Sequence, residues 1–157
     1  MYNPIQIANY FINKSFDTGS LLTPMKLLKL VYLAHGWNLG VTGNSLITEA
    51  AEAWKYGPVI PSVYNAFKKY GNRGISAMYD YNEQYPIDQN TTMLLDRVNE
   101  VYRNHNGLQL SAITHMENSP WDITWNKNNG KNKQSAIIPN DLIEEYYKNK
   151  LNSAKEA

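Results

Sequence analysis

Cysteine is absent from the 157 residues, which removes disulfide staples and thiolate metal sites and is compatible with a reducing compartment. A surplus of either charge is missing too, since 15 basic and 14 acidic side chains leave a net charge of +1. Such a chain has no global field to draw it onto nucleic acid, so binding through bulk electrostatics is not expected. Charged residues make up only 18% of the whole, below the usual quarter. Asn, Tyr, Ser and Thr take their place, which implies a polar, weakly charged surface. No apolar run approaches the roughly 20 residues that a membrane-spanning helix needs. The start, MYNPIQIANYFINKS, lacks the basic flank, apolar core and small-residue cleavage site of a signal peptide. These absences point to a soluble, cytoplasmic chain.

The motifs of common chemistry are missing as well. HxxxH, HExxH and the calcium-loop pattern do not occur, nor do GxxxxGK[ST] and GxGxxG, so neither a metal nor a nucleotide cofactor is expected. Three histidines carry all the imidazole. His35 follows Leu28 and Val31 on a helical face and reads as buried and hydrogen-bonded. His105 sits at a helix end, where it would meet the helix dipole. His115 lies four residues after Ser111 and close to Glu117, a faint Ser/His/acid set. A triad needs its nucleophile on a strained turn beside an oxyanion hole, and a serine on a helical face has neither. A hydrolase using Ser111 and His115 is therefore the weakest reading, and a non-enzymatic protein is expected. Glu49 and Glu52 read as a solvated edge, because nothing around them tunes a general acid/base pair. Lys26, Lys29 and the loop around residues 127–133 are the basic features. The two lysines are expected to be solvated or to touch a partner.

What the chain does have is helix punctuation. Asn3-Pro4, Thr23-Pro24 and Ser119-Pro120 each pair a capping side chain with proline at the first helical position. The first opens a helix to about Ser15, before an Asp17–Ser20 turn. The second opens the strongest helix, Pro24 to Leu39, roughly 24 Å long at 1.5 Å per residue. Leu27, Leu28, Leu30, Val31, Leu33, Ala34 and Trp37 cover most of its sides, which places it at the centre of the fold. Gly36 within it calls for a close-packed neighbour, and Gly40 and Gly43 should end it. Residues 46–57 fit a strand or extended segment, Val59–Tyr70 a helix, and 75–86 a strand or irregular loop. A helix capped by Asp88 or Asn90 should run to a stop at Gly107, followed by a short one over Leu108–Glu117. A polar loop over 126–134 precedes a last helix opened by Pro139. The sum is a mainly α, single domain over residues 1–157, with its core at about 3–150, a small β hairpin or extended pair, and a frayed charged tail.

The stretch EAWKYGPVIPSVYNAFKKYG crowds aromatic residues around Gly57-Pro58, as a core corner or a docking rim would. With LTPMKLLKLVYLAHGW before it and THMENSPW after it, it resembles the Panacea domain of the SocA/GepA-like antitoxins. The resemblance spans about Ile5 to Tyr147. It implies a largely helical protein with a short β element that inactivates a cognate toxin by direct binding. Other roles in the group's pattern are an adaptor delivering a toxin to a protease, and a phage or mobile-element protein that binds a host target. The motif falls on Lys26, Lys29, Tyr32, His35, Trp37, Trp54, Gly57, Pro58, Pro61, His115, Pro120 and Trp121. Trp54, Val63 and Phe67 are expected to lock the corner onto the central helix. Lys55, Tyr56, Tyr64 and Lys68, at the turn and on the outer face, are the residues expected to touch the partner, since aromatics dominate interface hot spots.

Overall fold

The computed structural model describes residues 1–83 and 85–156. Asn3 caps helix α1 (Pro4–Thr18) by accepting from the Ile5 N–H at 2.9 Å. Thr23 caps α2 (Pro24–Thr42) by accepting from the Lys26 N–H. A hairpin of β1 (Glu52–Trp54) and β2 (Gly57–Val59) follows, antiparallel, with Ala53 opposite Pro58. Helix α3 (Pro61–Phe67) passes into a 3₁₀ turn over Lys68–Tyr70. After an irregular stretch come α4 (Gln89–Val101), α5 (Gly107–Thr114), the single turn α6 (Pro120–Asp122) and α7 (Asn140–Glu156). The architecture is mainly α, with the expected two-stranded element.

α2 is the axis of this arrangement. Leu27, Leu30, Val31, Leu33 and Ala34 are all fully buried on it, and α1, α3, α4, α5 and α7 pack around it. Its 19 residues make it about 28 Å long, three residues beyond the expected end. Gly40 lies inside the helix, and the stop is Gly43, whose φ of +76° ends the run in the left-handed region. Gly36 and Gly40 share one face, one turn apart, and Tyr147 of α7 lies across both. A Cβ at Gly36 would stand 2.5 Å from the Tyr147 ring, and one at Gly40 would stand 2.8 Å from its Cβ. Glycine at both positions is what lets α7 come this close. Tyr147 is then enclosed by Trp37, 5.0 Å away between ring centroids, and by Tyr146 at 5.2 Å.

Two expectations are corrected here. Gly107 does not end α4: it is the first residue of α5, behind a reciprocal cap in which Asn106 accepts from Gln109 and Gln109 from Asn106, both at 2.8 Å. Of the two readings given for Lys29, solvated or touching a partner, the solvated one is corrected. It is 3% exposed and lies beneath the hairpin. Lys26 is half-buried, and its ammonium donates to the Arg103 carbonyl at 2.8 Å. Two features lie outside sequence reasoning altogether. A π-helical turn over Ile123–Lys127 continues α6, and residues 136–138 run beside β1, with Ala53 N–H on the Ala136 carbonyl and Ile138 N–H on the Ala51 carbonyl, each at 2.8 Å.

Candidate functional site

The hairpin presents Lys55 and Tyr56 at its tip, and Tyr56 is 69% exposed. The backbone beneath is held from three directions. Trp121 of α6 donates its indole N–H to the Trp54 carbonyl at 2.6 Å. Ser111 of α5 donates its hydroxyl to the Tyr56 carbonyl at 2.7 Å. Lys29 of α2 donates its ammonium to the Pro58 carbonyl at 2.8 Å. Three helices thus grip carbonyls at alternate residues of one short hairpin. Gly57 completes the fit: its φ of +123° disfavours other residues, and a Cβ there would sit 2.9 Å from the Lys29 nitrogen.

Behind the hairpin, Val63 and Phe67 are buried as expected, while Trp54 is only half-buried and packs against Tyr64 with ring centroids 5.0 Å apart. Pro61 is the first residue of α3, and Glu49 supplies the missing cap of that helix by accepting from the Ser62 N–H at 2.9 Å. Glu52 accepts from the Trp54 indole at 3.0 Å. Both carboxylates thus serve as hydrogen-bond acceptors around the hairpin.

Between the hairpin, α2 and α3 lies an open groove of about 350 Å³. Met25 and Leu28 of α2, Trp54 and Tyr56 of the hairpin, and Tyr64 of α3 give it an apolar wall, and Lys29 and Lys68 its charge. Of the four residues expected to face a partner, Tyr56, Tyr64 and Lys68 line this one groove. Lys55 does not; its ammonium lies over the Tyr56 ring, 5.5 Å from the centroid. Met25 and Leu28 were missed as groove residues, because on a helix apolar on most sides nothing in the spacing marks which positions open to a cleft. Burial pushes the Lys29 ammonium down to a pKa of about 8.

The remaining motif residues contact other parts of the fold. Tyr32 is fully buried, and Trp37 donates its indole N–H to the Tyr102 hydroxyl at 2.9 Å. His35 is buried with Nε2 3.1 Å from the Asn140 side-chain oxygen, and desolvation lowers its pKa despite that contact. Pro120 starts α6. His115 packs its ring on Trp121, and its Nδ1 is 3.4 Å from the Ser111 oxygen. The Ser111 proton is committed to the shorter bond with the Tyr56 carbonyl, so His115 meets a lone pair. Glu117 is exposed and makes no hydrogen bond to His115 among the described residues. No group of metal-ligating side chains occurs among the described residues, and no helix there is long and apolar enough to cross a membrane.

Residues 27–122 match the family described as "Antitoxin SocA-like, Panacea domain". This chain belongs to the SocA-like Panacea family. Antitoxin SocA of Caulobacter vibrioides (strain NA1000 / CB15N) is similar to it, 32% identical over 130 residues that cover 76% of this chain and 69% of that protein. No solved structure matches. The Panacea match contains α2 from Leu27 onward, the hairpin, α3 and all three carbonyl grips, so the groove's lining falls within the matched residues except at its Pro24–Met25 end.

Proposed function

We propose that this Panacea protein is the antitoxin of a toxin–antitoxin pair, acting in the cytoplasm by binding its cognate toxin directly and without catalysis. The observation that carries the reading is the exposed groove, built largely from the segment that matches the family, with Tyr56, Tyr64 and Lys68 on one surface. Aromatic side chains on a rigid mount lose little entropy on binding and dominate hot spots. The relative's name, antitoxin SocA, supports the same reading. The protein acts here as one domain that covers its toxin.

The test is growth. The protein encoded by the neighbouring gene is induced alone and then with this chain, and the pair is co-purified. Arrest alone, rescue together and co-elution are expected, with toxin half-life unchanged. A neighbour that is harmless or never binds overturns the reading, and a shortened toxin half-life replaces it with the protease-adaptor role. A His115→Ala variant that folds should rescue as well as the parent.

A further inference from the structure

The Lys29 charge is more than the hairpin requires. Trp54 and Tyr56 carbonyls are held by neutral donors, the Trp121 indole and the Ser111 hydroxyl. A third neutral donor could hold the Pro58 carbonyl without the cost of taking a charge out of water. Lys29 is 3% exposed, yet no ion pair includes it among the described residues, and the Pro58 carbonyl is its one hydrogen-bond acceptor there. An ammonium has three N–H donors, so two have no protein acceptor among the described residues. The residue also lines the groove, together with Lys68, while no aspartate or glutamate does. Lys55 adds a further cation at the hairpin tip. In a chain with net charge of only +1, two basic side chains, Lys29 and Lys68, thus lie on one apolar cleft.

We infer that the groove is a receptor for a partner segment that seats an apolar or aromatic side chain against Leu28, Trp54 and Tyr64 and sets an Asp or Glu carboxylate on Lys29, with Lys68 at the rim. This rests on the reading of the groove as the partner-binding surface and names the chemistry it selects. In the apolar cleft a carboxylate would accept the ammonium's remaining hydrogen bonds and offset its desolvation with a countercharge, which a neutral amide does not supply. The basic rim would steer an acidic segment toward the groove and disfavour a basic one.

The test uses peptides, so that it does not depend on any toxin. A displayed library of 12-residue peptides is panned on the full-length protein, and enriched sequences are synthesised as acid and amide pairs, Asp against Asn and Glu against Gln. Peptides pairing an apolar residue with an acidic one should be enriched. The acid form should bind at least tenfold tighter by fluorescence polarisation. The preference should fall below threefold in Lys29→Met and weaken in the exposed-site variant Lys68→Glu. Should Lys29→Met fail to fold, the side-chain ¹⁵Nζ resonance of Lys29 in the parent should shift with the acid peptide and stay put with the amide. Equal binding of acid and amide forms, a preference that survives Lys29→Met, or an unmoved resonance overturns the inference. So does a single-stranded oligonucleotide that competes with the same Lys29 dependence, or self-association through the groove in sedimentation. A peptide preference without toxin rescue would sink the antitoxin reading and leave the receptor standing; rescue that ignores Lys29 and Lys68 would do the reverse.

Discussion

Replacing Gly40 by alanine sets two physical effects against each other at one atom. In a helix interior alanine is favoured over glycine by about 1 kcal/mol, so propensity alone predicts a more stable protein. Packing predicts the opposite. The new methyl would stand 2.8 Å from the Tyr147 Cβ, 2.9 Å from its carbonyl carbon and 3.0 Å from the Lys148 nitrogen. Two of these are backbone atoms of α7, so no rotamer change relieves the contact and the helices must separate. Overpacking costs roughly 1–3 kcal/mol, and a clash with backbone belongs at the upper end. The net is a loss of about 2 kcal/mol, or a Tm lower by roughly 4–8 °C for a protein of this size. At Gly36 the clash is with the Tyr147 ring at 2.5 Å, and Trp37 and Tyr146 prevent the ring from swinging away. There the net loss should be about 1 kcal/mol or more, and the double variant Gly36→Ala, Tyr147→Leu should recover it as a favourable coupling. Urea unfolding followed by circular dichroism would show a lower midpoint at constant m-value. A midpoint that rises in Gly40→Ala would refute the close approach of α2 and α7.

Two further outcomes follow from the hairpin's supports. Lys29 titrates near 8 in the folded protein, against an ordinary 10.5, so between those values the unfolded chain holds more protons and stability rises with pH. Measured from pH 7.5 to 9.5, the parent should gain about 1 kcal/mol or more relative to Lys29→Met at a slope near 1.4 kcal/mol per unit, and parallel profiles would exclude the shift. Trp121→Phe keeps most of the packing but loses the bond to the Trp54 carbonyl; a cost of about 1–3 kcal/mol with faster hydrogen exchange in the hairpin is expected, and unchanged exchange would dissociate α6 from the hairpin.

The helix starts were legible because capping is local: Asn3, Thr23 and Ser119 each act within three residues of themselves. Glycines were harder, since one residue type serves opposite ends. Gly43 stops a helix, Gly107 starts one, and Gly40 sits inside one to admit a neighbour 107 residues later in the chain. The demand of Gly36 for a close neighbour could be read in advance, but not that Tyr147 would meet it. Lys29 misled for the same reason: its burial is decided by the hairpin folding over it, a contact 29 residues away. The groove inherits that difficulty. Its Tyr56, Tyr64 and Lys68 come from one compact stretch whose aromatic density was visible, whereas Met25 and Leu28 join only through tertiary packing.

The way the hairpin is mounted has an evolutionary consequence. A carbonyl oxygen exists at every position of a polypeptide whatever residue is encoded there, so the indole, hydroxyl and ammonium that hold positions 54, 56 and 58 are blind to side-chain identity. Gly57 is bound to its residue by backbone angle, but Lys55 and Tyr56 are not. Codons at the tip can therefore change without unfastening it, and the surface it displays can be rewritten while the bracket stays the same.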